Sequence, residues 1–361
     1  MKIVLIALHF SEYASRLALG LSANHSVQLH LSAPNAANEL SQKLFEHLKS
    51  NVDLHLHPQH TRKYMLVQGA RLARTIRQFA PDIIHAQEAA GWTIWSTLVQ
   101  MYPRVAKFVL TVHDPSPHMG SDTKIRRRSQ WANTRLRLKA DAVLVHGQHS
   151  ASDITSLLPK ISKRVYTIGH GILGDLTHIT TSGENGYFLF FGRIQAYKGL
   201  GVLIKAADIL SKRHLDFRIK IAGNGPDLEQ YRDVILQSDH LDVEDRYIPE
   251  EQLSTLFGNA KAVVMPYLEA TQSGVAALAV SARKPLIASS VGAIPEVIKH
   301  EENGLLVLPD DPTALANAME RILKDIQLQN KLEQGAALTA DTTMNWDVIA
   351  KETVQIYKSL T

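Results

Sequence analysis

The residues best suited to chemistry in this 361-residue chain follow apolar runs in its second half. The run Tyr187-Phe188-Leu189-Phe190-Phe191 reads as a buried strand, and Gly192 ends it. Arg193 and Lys198 come next, and then a helix with Leu200, Leu203, Ile204, Ala207 and Leu210 spaced three and four apart. A guanidinium fork and an ammonium beside a helix N-terminus suit an anion. They also suit two solvated cations in a loop, because charged loop residues are mostly exposed. Three more loops repeat the pattern: Gly223-Asn224-Gly225-Pro226, Glu269 with Thr271-Gln272-Ser273-Gly274, and Val291-Gly292-Ala293-Ile294-Pro295-Glu296. Glycine lets a backbone approach closely, and Pro226 would sit at a first helical position. Alone, G-N-G-P is also what a strand-to-helix turn looks like. The ordered set supplies two cations, several helix mouths and the carboxylate of Glu269. Those are donors for phosphates and an acceptor for sugar hydroxyls, as a nucleotide diphosphate joined to a sugar requires.

The first half offers imidazoles. Thr111-Val112-His113-Asp114-Pro115-Ser116-Pro117-His118 places two of them and a carboxylate straight after a strand. Asp-Pro and Ser-Pro are also ordinary turn formers. Histidine side chains ordinarily titrate near neutral pH, so His113 and His118 would suit proton handling. His85, Glu88, His146 and Gly147 also follow strands, where an acceptor-side role and a structural role are both open. His55, His57 and His60 could suggest a metal tract, but alternation on a half-exposed strand explains them, and no metal is expected. Lys124 to Lys139 is a basic helix carrying Arg126, Arg127, Arg128, Arg135 and Arg137, with Ile125, Ala132 and Leu136 as its apolar line. A solvated face is the plain reading. An anionic membrane surface is the other, at about 1 kcal/mol per cation. Nucleic acid is not expected, since no recognition module or interleaved aromatics accompany the charge.

The elements that must position these residues alternate. Strands are expected at Lys2–Leu8, Val27–Ser32, Val52–His55, Asp82–Ala86, Ala106–Val112, Ala142–His146 and Val165–Ile168. Helices are expected at Ser11–Leu21, Ala36–Lys49, Gly69–Phe79, Trp92–Gln100, Thr123–Lys139 and His149–Leu158. A polar, glycine-flanked stretch follows, and a second series has strands at Tyr187–Phe191, Phe217–Ala222, Ala262–Met265, Pro285–Ala288 and Leu305–Leu308. Its helices start near Gly199, Pro226, Glu250, Gly274, Pro295 and Pro312, the last running to about Leu332, and a final helix spans about Trp346 to Leu360. Alternating strand and helix implies α/β architecture, here two doubly wound, Rossmann-like domains across a cleft, with ligands outside the carboxyl ends of strands. The expected division is 1–173, a linker at 174–186, 187–344, and a final helix at 345–361. The length allows two cores. A net charge of +4 is mild, and zero cysteines exclude disulfides and thiolate metal sites and fit a reducing compartment. No apolar run reaches the roughly 18 residues of a spanning helix, and Met1 to Leu8 reads as a first strand, not a signal peptide. A cytoplasmic protein is expected, with possible contact to the inner membrane face.

The motifs F-G-R-I-Q-A-Y-K-G at 191–199, G-N-G-P at 223–226, P-Y-L-E-A-T-Q-S-G at 266–274, K-P-L-I-A-S at 284–289 and V-G-A-I-P-E at 291–296 resemble those of the GT-B glycosyltransferases of family 4. T-V-H-D-P at 111–115 and H-G at 170–171 extend the resemblance over essentially the whole chain. It implies a retaining, metal-independent hexosyltransferase using a nucleotide diphosphate sugar, with no further cofactor, a glycan or lipid-linked acceptor in surface polysaccharide or glycolipid synthesis, and a final helix at 345–361 that crosses back to the first domain. By the resemblance Arg193 and Lys198 hold the diphosphate as it leaves, and Glu269 contacts the donor sugar. Gly192, Gly223, Asn224, Gly225, Thr271, Gln272, Ser273 and Gly274 line the donor. His113 lies near the reacting centre, and His118, Asp114 and His85 lie toward the acceptor. The family's second motif glutamate, which serves the ribose, is replaced by Ala277, leaving the ribose unassigned. A nucleotide-sugar epimerase and a non-catalytic nucleotide-sugar-binding protein are the alternatives on the same fold.

Overall fold

The computed structural model describes residues 1–59, 64–89, 91–101, 106–115, 123–176, 186–270 and 273–361, with backbone alone at 91 and 123–129. The chain forms two compact units, one of Met1–Gly171 with Trp346–Thr361 and one of Ile172–Asn345.

The first unit is built on seven parallel strands: β1 Lys2–Ala7, β2 Ser26–Ser32, β3 Asp53–His57, β4 Ile83–Gln87, β5 Lys107–Val112, β6 Ala142–His146 and β7 Val165–Ile168. Their order is β3-β2-β1-β4-β5-β6-β7. β1 is central and covered by helices on both faces, which is why Ile3-Val4-Leu5-Ile6-Ala7 is apolar without alternation. One face buries Leu5, Leu29 and Leu17, and the other buries Ile6, Ile84 and Phe108. The helix Trp346–Leu360 belongs to this unit and packs on the helix Ser11–Ser22. Gly20 permits that approach, since a Cβ there would lie 2.9 Å from Ala350 Cβ and 3.1 Å from the Trp346 carbonyl. Tyr357 is fully buried and anchors the helix to the sheet.

The second unit has six parallel strands: β8 Tyr187–Phe191, β9 Ile219–Ala222, β10 Leu241–Glu244, β11 Ala260–Met265, β12 Leu286–Ser289 and β13 Gly304–Val307. Their order is β10-β9-β8-β11-β12-β13, so the strand order reverses between β8 and β11. That reversal is where doubly wound sheets open a crevice at their carboxyl ends.

Four element expectations need correction. The helix expected over Ala36–Lys49 is two, Ala33–Glu39 and Gln42–Asn51, because the Ser41 side chain accepts the Leu44 amide at 3.2 Å and starts a new helix. The helix expected from Pro312 to Leu332 divides into Pro312–Lys324 and Ile326–Asp341, with Asp325 capping the second through Leu328 N at 2.9 Å. No α-helix starts at Pro226; after a short 3-10 turn the helix is Arg232–Leu236. β10 was not expected at all. It is a four-residue edge strand with two acidic residues, tied to β9 by Lys220 Nζ at 2.8 Å from Asp242 and 3.2 Å from Glu244. Short, charged edge strands carry little apolar signal.

Candidate functional site

In the second unit the loops behind β8, β9 and β11 are locked to one another through glycines. The Gly192 amide donates to the Ala222 carbonyl at 2.9 Å and the Ile194 amide to the Asn224 carbonyl at 2.8 Å. Gly192 and Gly223 have φ of 103° and 136°, where side chains are strained. A Cβ on Gly223 would lie 2.1 Å from the Gly192 carbonyl oxygen, and one on Gly225 only 1.9 Å from that of Ile194. Gly199 meets the end of β11 in the same way, its missing Cβ falling 1.9 Å from the Pro266 carbonyl oxygen. Two further bonds close the cluster: Leu268 N to Tyr197 O at 2.7 Å, and Ala196 N to the Asp227 carboxylate at 2.9 Å. Asp227 carries no motif signal of its own; its role emerges only once β8 and β9 are side by side.

Lys198 lies inside this cluster. It is 7% exposed, its Nζ lies 2.9 Å from where a Gly192 Cβ would be, and it stands 5.4 Å over the Tyr267 ring. Burial lowers its pKa below the ordinary lysine value, and Tyr197 opposes this only in part. No carboxylate among the described residues offsets that loss of hydration. Val275, in the first turn of the helix Gly274–Ser281, comes within 3.5 Å of the same Gly192 position. The Ser273 side chain caps that helix through Ala276 N at 3.3 Å. Its first amides have no intrahelical acceptor.

Arg193, Asn224, Glu269 and Gly274 are exposed, and Gly225 and Ser273 are half-buried. The structure therefore joins Gly192, Lys198, Gly223, Gly225 and the mouth of the helix Gly274–Ser281. Glu269 neighbours the exposed Leu268 on the adjacent strand end. Thr271 and Gln272 lie outside the described residues. Ala277 is 1% exposed and packs in an apolar cluster with Leu189, Ala222 and Ala288, so its small apolar side chain fits its surroundings.

In the first unit, His113 at the end of β5 is 7% exposed, with Nε2 at 2.8 Å from Gln87 Oε1 and its ring 3.9 Å from that of Phe10. Burial and the neighbouring His170 depress its pKa to about 3 against the opposing pull of Asp114, which is half-buried. At neutral pH it is an uncharged hydrogen-bonding group, not a cation. His85 corrects its acceptor-side expectation. It is fully buried, with Nδ1 at 2.6 Å from the Tyr357 hydroxyl and Nε2 at 2.7 Å from Thr111 Oγ1. Both ring nitrogens are used, and the residue braces the final helix. His118 lies outside the described residues. The mouth of the helix Ser11–Ser22 holds a carboxylate from this chain: Glu39 accepts the Ser11 amide at 2.6 Å and the Glu12 amide at 3.4 Å. A phosphate would have to displace Glu39 there.

The basic helix Thr123–Lys139 does not present all its cations outward. Arg137 makes a two-pronged ion pair with Glu88 at 2.6 Å for each contact, with side chains 11% and 5% exposed. Arg135 stays exposed above the half-exposed Trp131 ring, and Lys139 is exposed. His55 and His57 of β3 lie against His30 of β2, His57 Nε2 at 2.8 Å from His30 Nδ1. The third member of that run, His60, lies outside the described residues.

Two Rossmann-like units, one carrying a glycine-walled loop cluster at its strand reversal, define a protein of the GT-B class. The chain belongs to the group 1, family 4 glycosyltransferases: the family model for Glycosyltransferase Family 4 matches residues 11–173, and that for Glycosyl transferases group 1 matches residues 185–325. An uncharacterised glycosyltransferase of Methanocaldococcus jannaschii is 34% identical over 182 residues, covering 50% of this chain and 46% of that protein. The match thus spans about half of that relative's length. Among solved structures, sucrose-phosphate synthase from Thermosynechococcus elongatus superposes with a TM-score of 0.75 at 20% identity, covering 100% of this chain and 99% of that one. HepE from Anabaena, in complex with UDP-glucose, gives 0.72 at 16% identity, covering 99% and 100%.

Proposed function

We propose that this protein transfers a hexose, with retention of configuration, from a nucleotide diphosphate sugar to a glycan or lipid-linked saccharide. The observation that carries the reading is Lys198: an ammonium held in a glycine-walled recess beside a helix mouth, where no carboxylate among the described residues contributes to its charge state. A diphosphate supplies the missing anion. It would accept from Lys198 and from the first amides of the helix Gly274–Ser281, and Arg193 would close on it from the exposed side. These cations favour the leaving diphosphate most as its charge grows, so they act on the transition state. Glu269 is assigned to sugar hydroxyls, and His113, uncharged, to positioning and polarising the sugar. The departing phosphate takes the acceptor's proton, and the two cations serve without a metal. The complex of HepE with UDP-glucose supports a nucleotide-sugar donor.

The same reading places the protein in the cytoplasm, working on surface polysaccharide or glycolipid. Among the described residues no helix is long and apolar enough to cross a membrane. Contact with anionic lipid through the helix Thr123–Lys139 rests on Arg135, Lys139 and the residues before them, since Arg137 is already paired.

A thermal-shift screen with UDP, GDP and their hexose conjugates tests the reading. A ligand at a hundred times its Kd stabilises by about 2.7 kcal/mol, so one nucleotide series should raise the melting point. Proton NMR of the products then separates transfer to an acceptor from epimerisation of the donor. No shift with any nucleotide sugar would remove the proposal.

A further inference from the structure

We propose that His113, His146 and His170 form a site for one divalent transition-metal ion of the Zn2+ class, held entirely within the first unit. One ring nitrogen from each residue lies within 4.8 Å of the others. The ring centroids are 5.0 Å apart for His113 and His146, 4.9 Å for His146 and His170, and 6.4 Å for His113 and His170. Bonds of about 2.0 Å to a tetrahedral ion would bring the nitrogens to roughly 3.3 Å. Binding therefore requires the three rings to turn toward one another.

What distinguishes this trio from packed histidines is where its other nitrogens go. His113 Nε2 meets Gln87 Oε1 at 2.8 Å, His146 Nδ1 meets the Ile168 carbonyl at 3.4 Å, and His170 Nδ1 meets the Gly171 carbonyl at 2.8 Å. The Ile168 and Gly171 carbonyls only accept, so those nitrogens of His146 and His170 carry the proton, and with Gln87 Oε1 facing His113 its Nε2 does too. The remaining nitrogen of each ring then bears a lone pair: Nδ1 of His113, Nε2 of His146 and Nε2 of His170. That is the outer arrangement by which metal-bound imidazoles are oriented. The neutral imidazole is the form that ligates. The Tyr13 ring covers the trio, with centroids 4.9, 5.2 and 5.4 Å from His113, His146 and His170. Three imidazoles leave a fourth position open, and imidazole donors select Zn2+, Cu2+ or Ni2+ over Mg2+ or Ca2+. The sequence contains no cysteine to compete for the ion.

The proposal does not rest on the transferase reading and departs from the expectation that no metal is bound. Nδ1 of His113 cannot serve a metal and a sugar hydroxyl at once, so a bound ion withdraws His113 from the sugar.

The test is titration of tag-free, chelator-treated full-length protein with Co2+, read by visible absorption, followed by displacement with Zn2+. One equivalent of Co2+ should give an intense tetrahedral band that Zn2+ abolishes. His170→Gln, at the partly exposed corner of the trio, and His146→Gln should each weaken binding tenfold or more, with folding checked by circular dichroism. Gln87→Leu, which removes only the orienting acceptor, should lower affinity roughly 10- to 100-fold. Absence of the band in folded wild-type protein would overturn the site, and that result needs no variant. A band of unchanged strength in folded His170→Gln would overturn it too, by placing the ion on other histidines.

Discussion

At the scale of single residues, the loop cluster is set by what cannot be there. Gly225 has no room for a Cβ because a backbone oxygen, which cannot rotate away, sits 1.9 Å from its position. Gly225→Ala should destabilise the protein by more than about 1 kcal/mol, measured by urea unfolding, and weaken nucleotide binding in parallel. Lys198 behaves in the opposite way. Its charge is buried without a carboxylate contributing to it among the described residues, which costs stability in the free protein. Lys198→Met keeps the apolar stem and removes the charge. The free protein should therefore melt no lower than wild type, while the shift produced by a nucleotide sugar should vanish. A variant that lost both free stability and ligand response in proportion would make Lys198 a packing residue. Both positions were legible in the sequence, since a lysine and glycines behind an apolar run point to a loop that holds an anion. The burial of one cation and the exposure of the other were not, because the recess around Lys198 is walled by Gly192 and Tyr267, from two different strand ends.

At the scale of elements, a polar contact in an apolar setting ties the final helix to the first sheet. The Tyr357 hydroxyl and His85 Nδ1 are 2.6 Å apart, and both residues are fully buried. Tyr357→Phe leaves the imidazole nitrogen without its partner, and the expected loss is about 1–3 kcal/mol. Hydrogen exchange should show that loss as faster exchange in Trp346–Leu360 and in β4, with β8 to β13 unaffected. Equal acceleration in both units would mean that the contact does not act locally. The return of this helix to the first unit was expected from the family resemblance. The contact that fastens it was not, since His85 reads alone as one more polar residue after a strand. Its partner lies at the far end of the chain.

At the scale of the whole molecule, the two units differ in how they respond to acid. The first buries His30 and His85, and burial lowers the pKa of both, His85 to about 3. The unfolded chain protonates these groups near 6.5, so below that pH it binds more protons than the folded chain. Their contribution is complete above about pH 6.5 and is lost as pH falls toward 3, at up to about 1.4 kcal/mol per pH unit for each such group. The second unit buries no histidine among the described residues. Calorimetry between pH 7 and pH 5 should show the transition of the first unit moving down more steeply than that of the second. His85→Phe should reduce the pH slope even where it lowers stability. Transitions that move together would remove this account.

Two things were determined by the sequence alone: the alternation of strand and helix, with its apolar periods, and the glycine, lysine and carboxylate motifs behind particular strands. Both are local patterns, carried by neighbours in the chain. Tertiary structure decided which of those groups share a space. The meeting of His113, His146 and His170, the pairing of Arg137 with Glu88, the clasp of Asp227 on Ala196, and the capture of a helix mouth by Glu39 each join residues from separate elements. Parallel strand order brings such residues together through crossover connections, and side-chain spacing along one segment holds no record of what lies beside it in the next strand.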